Sequence, residues 1–176
     1  MNFREGDSVM HWTHGLGTVI RLEQMMLSGV KILYYAIQVG DMTVWVPEDE
    51  MLEQRLRLPT PAAEFKTLMG ILSGASEPLP TDRFERKKLL LKWLKDGCAE
   101  TLFRVIRSLS THRHLHPLNE DDQAFLKRTR HALLGEWSFA MSIPLAQAEH
   151  DLQQLLSIAS HSSHMEEHPK EPAPVR

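Results

Sequence analysis

Apolar residues change their spacing once along this chain, near residue 60. Before that point they come in short runs: Ser8–Trp12, Thr18–Leu22, Ile32–Val39 and Met42–Val46, with Leu56-Arg57-Leu58 as a short closing piece. Thr13-His14-Gly15-Leu16-Gly17 supplies a flexible turn, Ser28-Gly29 a hairpin and Gly40-Asp41 a tight turn. Pro47 ends the fourth run because it has no N–H to give a ladder. Four or five strands in under 60 residues predict a small, strongly bent barrel of SH3 or Tudor type.

After the junction Leu58-Pro59-Thr60-Pro61 the spacing becomes helical. Thr60 as a cap and Pro61 in the first turn predict a helix to about Leu72, followed by a loop over Ser73–Pro80. Asp82 with Glu85 three positions on marks a second helix start, and Gly97 its stop. At about 100° per residue, Leu89, Leu90, Trp93 and Leu94 gather on one side of this helix, and Phe84, Lys88, Lys92 and Lys95 on the other. Leu102, Val105, Ile106 and Leu109 mark a third helix, and Thr111–Leu118 reads as a His-rich loop. Asn119 with Asp122 opens a long fourth helix that turns Phe125, Leu126, Leu133, Leu134 and Trp137 inward. Pro144 precedes a fifth, with Leu152, Leu155, Leu156 and Ala159 as its stripe. From His161 the composition shifts to His, Ser, Glu and Pro, as in a disordered tail.

The expected fold class is therefore α+β. Residues 1–58 form the SH3/Tudor-like β-barrel, 59–160 a compact all-α bundle of about five helices, and 161–176 the tail. The apolar share of 42% can fill such cores, and no apolar run approaches the ~18 residues of a membrane span. With no charged-then-apolar leader at the start, the expectation is a cytoplasmic protein with no membrane contact. The single cysteine, Cys98, excludes an internal disulfide and a Cys-based zinc cluster, and reads as a small buried residue early in a helix.

Charge sharpens the picture of the second helix. The net charge of −3 argues against a general nucleic-acid binder, but its distribution is uneven. Residues 1–60 carry 5 basic and 8 acidic groups, residues 81–113 carry 9 and 4, and residues 114–160 carry 3 and 6. One local patch would do the electrostatic work. An aromatic ring among lysines has no place in a core, so Phe84 on that face is a candidate contact for a polyanion. His112, His114 and His116 alternate without a paired Cys or carboxylate, as do His161, His164 and His168 in the tail, so no metal site is expected. His14 beside Gly15 reads as a brace for its turn. There is no phosphate-binding Gly loop with a following lysine, no Ser elbow and no paired carboxylates in an apolar setting. The expectation is a protein with no cofactor and no enzymatic activity.

Several motifs, in the same order, resemble the CarD/CdnL family of bacterial transcription regulators. They are Phe3-Arg4-Glu5-Gly6-Asp7-Ser8-Val9, His14-Gly15-Leu16-Gly17-Thr18-Val19 and Asp41-Met42-Thr43-Val44-Trp45-Val46-Pro47. Lys95-Asp96-Gly97 before Val105-Ile106-Arg107-Ser108-Leu109, and Leu126-Lys127-Arg128-Thr129-Arg130 leading to Leu133-Leu134-Gly135-Glu136, extend the likeness to roughly residues 1–158. The resemblance implies a Tudor-like barrel that docks on the β subunit of RNA polymerase by extending a sheet, edge strand to edge strand. It implies a helical domain at the upstream edge of the transcription bubble in promoter DNA, where a tryptophan wedges into the minor groove. Such a protein would work by binding the open promoter better than the closed one.

Two departures from the family pattern stand out. Arg83 occupies the place of the wedge tryptophan, with Phe84 next to it. Either Phe84 takes over the wedge, or Arg83 inserts its charge into a narrow groove. Met25 and Trp45 stand where some members carry arginines, so docking through Met25, Trp45 and Val46 would lean on apolar and aromatic contact. Trp45 points opposite to Val44 and Val46 on a strand, which makes it either an outward anchor or a cap on the barrel's own core. The expected DNA-binding set is Arg83, Phe84, Arg86, Lys87, Lys88, Lys92 and Lys95, with Lys127 and Arg128 as a second basic spot. The function expected is a regulator, monomeric when free and nucleoid-associated through polymerase, that modulates open-complex stability. The rival expectation is a polymerase-binding adaptor that recruits another protein through its helical domain with little DNA contact.

Overall fold

A computed structural model describes residues 2–165 except Ser28 and Asp96, with side chains placed up to Ile158. Five strands come first: β1 (Ser8–His11), β2 (Gly15–Leu27), β3 (Val30–Val39), β4 (Met42–Pro47) and β5 (Leu56–Arg57). They form one antiparallel sheet in the order β4-β3-β2-β1-β5, so the barrel does not close and β4 and β5 are its edges. A short helix, α1 (Leu52–Arg55), lies between β4 and β5. Five helices follow: α2 (Ala62–Ser73), α3 (Arg83–Lys95), α4 (Ala99–Leu115), α5 (Glu120–Met141) and α6 (Leu145–Met165). The α+β class is as the sequence predicts. Among the described residues no helix is long and apolar enough to cross a membrane.

Some boundaries move. β2 begins at Gly15, so the expected loose turn is partly strand. Gly17 is needed there: a Cβ would lie 2.7 Å from methyls of Ile37 and Val39. α2 starts after Pro61, and Thr60 gives its hydroxyl to Glu136 instead of capping that helix. α4 runs through the expected His-rich loop and takes in His112 and His114. Cys98 is exposed at the N-cap position of α4, its Sγ 3.0 Å from Thr101 Oγ1, rather than buried. α6 continues to Met165, past the expected start of the tail. His161, His164, His168 and Ala159 lie outside the described side chains, as does the rest of the tail.

Two cores meet at β1. Its Val9 faces the barrel core of Phe3, Val19, Tyr35, Ile37, Val39, Val46, Leu52 and Leu56. Its Met10 faces the helical core, where Phe65 packs edge-on against Phe103 at 5.1 Å and lies 5.7 Å from Trp137. Alternation along one strand thus sends neighbouring residues into different cores. At the turn beyond, Gly15 has φ +83 and lies so close to α5 that a Cβ would be 3.1 Å from Ala132 Cα. His11, not His14, braces this turn: its buried Nδ1 accepts from the backbone N–H of Thr13 and of His14, each at 3.2 Å. Two donors on Nδ1 require the neutral ring with its proton on Nε2. Burial, then the nearby His14 and Arg55, lower the His11 pKa from 6.5 to about 4.

Candidate functional site

The outer side of the sheet carries one candidate surface. β4 pairs with β3 along one side only, so its outer edge presents unpaired backbone groups. The register sets Trp45 opposite Ala36, and Ala36 opposite Arg21, in one row across three strands. Trp45 is 37% exposed and points out of the sheet, with the Arg21 guanidinium 5.4 Å from its ring centre. Met25, opposite Ile32, stands on the same face further along the hairpin. Val46 does not: it sits opposite Tyr35, is 2% exposed and belongs to the barrel core. Its side chain is unavailable for docking, because alternation turns it inward wherever Trp45 turns outward. Its backbone N–H and C=O face Tyr35 within the β3–β4 ladder, so the groups that β4 offers to a strand from outside are those of Trp45 and Thr43.

Arg21 was not legible as part of this surface. A register shift between Val19 and Arg21 changes the phase of β2, and only the β2–β3–β4 pairing places Arg21 over Trp45. Arg21 also pairs with the exposed Glu23 at 2.7 Å.

The second surface is the outward side of α3. Asp82 Oδ1 accepts from the N–H groups of Phe84 and Glu85 at 2.9 Å each, so the helix begins where the sequence places it. Leu90, Trp93 and Leu94 are buried, and Phe84 is 67% exposed. Phe84, Lys87, Lys88, Leu91, Lys92 and Lys95 line a shallow open groove. The Arg83 guanidinium lies 4.6 Å from the Phe84 ring centre, so the two candidate wedge residues form one stacked unit. Lys87 is paired with Asp121 at 3.0 Å on the surface. Exposed pairs of this kind are worth at most about 1 kcal/mol and yield to a stronger anion.

Arg86 leaves the expected DNA-binding set. It is 4% exposed, and its Nε and Nη2 donate to Asp122 at 3.0 and 2.7 Å. Its Nη1 donates to the carbonyls of Pro80 and Thr81 at 2.7 and 3.0 Å. The sequence does hold a signal for this: Arg86 precedes Leu90 and Trp93 by four and seven positions, which is the buried stripe. Lys127 and Arg128 are exposed on α5, with Arg128 stacked 4.9 Å over the Phe125 ring. His112 is buried beside His116, with ring centres 5.0 Å apart. Its pKa is lowered by burial, and further by Arg86 and His116. Among the described residues no group of three His, Cys, Asp or Glu side chains is placed to hold a metal ion.

The family described as the CarD-like/TRCF RID domain matches residues 3–57, which contain all five strands. The protein named "Putative transcription factor YdeB", from Bacillus subtilis (strain 168), is 24% identical over 136 residues, which is 76% of this chain and 89% of that protein. That likeness is longer than the matched domain and reaches into the helices.

Proposed function

We propose that the chain, whose residues 3–57 match the CarD-like/TRCF RID domain, is a transcription regulator that docks on RNA polymerase through its sheet and touches promoter DNA through α3. The docking partner in this reading is the polymerase β subunit, which adds a strand to the open edge of β4, with Trp45 and Met25 as side-chain anchors. The name carried by the B. subtilis relative points to the same process. The observation that carries the DNA half is the exposed Phe84 ring on a lysine-lined face, attached to the same folded body as the RID domain. Phe84, stiffened by Arg83, enters the minor groove at the upstream edge of the bubble, and Lys87, Lys88, Lys92 and Lys95 hold the flanking phosphates. The complex then favours the open promoter by the difference in binding between the two states.

The loss of Arg86 from the basic face, together with the overall charge of −3, favours the adaptor reading to that extent. One pair of substitutions separates the two. Trp45→Ala should weaken polymerase binding by about 2 kcal/mol, as for a central aromatic anchor. Phe84→Ala should leave that binding intact and shorten the open-complex lifetime about tenfold, the effect of losing one stacked ring. An unchanged lifetime with polymerase bound would reject the wedge and leave the adaptor.

A further inference from the structure

We infer that Arg57 and Glu136 are positioning residues that fix the angle between the sheet and the basic helix, and that this fixed angle lets both surfaces act on one promoter complex. The functional half of this rests on the reading above; the geometric half stands by itself.

Glu136, on α5, has a side chain with 0% exposure, and its carboxylate is held by Arg57 and Thr60, neither of which lies in a helix. Arg57, on the edge strand β5, donates Nη1 to Glu136 Oε1 at 2.5 Å and Nη2 to Oε2 at 2.7 Å. Thr60, in the junction between the domains, gives Oε1 both its N–H and its hydroxyl at 2.8 Å. The third arm is decisive for α3. Arg57 Nε donates at 2.7 Å to the carbonyl of Gly97, just past the C-terminal end of that helix. One guanidinium therefore joins the sheet, α5 and the end of the basic helix.

The other end of α3 is held the same way, by Arg86 on Asp122. Asp122 and Glu136 both lie on the buried side of α5, about 21 Å apart along its axis at 1.5 Å per residue. α5 thus serves as a ruler with a carboxylate at each mark, and α3 is pinned to both. Only the Glu136 mark also carries the sheet. A buried ion pair is a weak source of net stability, since desolvation offsets most of the attraction, but a two-pronged pair enforces a single geometry. The close approach of Gly15 to Ala132, where a Cβ would lie 3.1 Å from the Ala132 Cα, leaves little slack between β2 and α5.

The test uses the full chain. In a Cys98→Ser background, spin labels at Asp41→Cys on the sheet and Glu85→Cys on α3 report the distance between the surfaces. Glu136→Gln keeps the shape and removes the charge; Arg57→Lys keeps the charge and removes the fork, and serves if the first variant folds poorly. The expected result is a broadened or shifted distance distribution in either variant. Polymerase affinity should stay within about twofold, and the open-complex lifetime should fall by about tenfold, the scale of a coupling change of 1–2 kcal/mol. A distribution identical to the parent's in a folded variant would overturn the geometric claim. A shifted distribution with an unchanged lifetime would overturn the functional one. If the parent chain neither binds polymerase nor lengthens the open state, the proposed function falls, and the label distances still decide the clamp.

Discussion

Arg86 and Lys88 are two residues apart and have opposite fates, because the helix turns one into the bundle and the other into solvent. Removing Arg86 strands the buried Asp122 carboxylate together with two backbone carbonyls, so Arg86→Ala should cost about 3–5 kcal/mol. Lys88→Ala should change stability by no more than about 0.5 kcal/mol. Urea unfolding of both variants checks the contrast. His11 sets a pH dependence at the same scale. The unfolded ring takes up its proton near 6.5 and the folded one only near about 4. Between those values the unfolded chain holds more protons, so stability should fall as pH drops through that window. His11→Asn places an amide oxygen where Nδ1 accepts and cannot charge, so the slope of midpoint against pH should flatten there. An unchanged slope would show that His11 does not set the acid sensitivity.

At the scale of elements, α3 is legible almost whole. Its cap at Asp82, its stop at Gly97 and its apolar stripe all follow from local pattern. Its charge does not: a basic residue on a helical wheel is assigned outward unless a buried acid is known to await it, and Asp122 awaits Arg86. With Arg86 gone, the proposed DNA contact falls to Lys88, Lys92 and Lys95, beside the Asp121-paired Lys87. Replacing the three with Gln should lower the steepness of log affinity against log salt by about 2.7 on duplex DNA. No change in that slope would remove α3 from the DNA. The sheet edge was less legible. Alternation gave Trp45 and Val46 opposite faces, but which face is core depends on β3 between them and β2 beyond.

For the whole molecule, β1 is shared between two cores, and Arg57 reaches from the sheet into α5. The sheet and the bundle should therefore unfold together. Fluorescence dominated by Trp45 in the sheet, and by Trp93 and Trp137 in the bundle, should give coincident transitions in variants that keep one reporter at a time. Separate midpoints would show that the seam adds little, and would weaken the case for a fixed angle.

The sequence alone was enough for the class of fold, the strand-then-helix order, the limits of α3 and the exposure of Phe84. All of these depend on spacing within a few residues, where side-chain size and backbone preference act directly. It was not enough for the open sheet order, for Arg21 over Trp45, or for the two guanidinium clamps. Those join residues far apart in the chain, such as Arg57 with Glu136 and Arg86 with Asp122. A charged residue looks the same in sequence whether it meets water or a buried partner. Only the packed chain decides, because the energy of burying a charge is set by what stands opposite it.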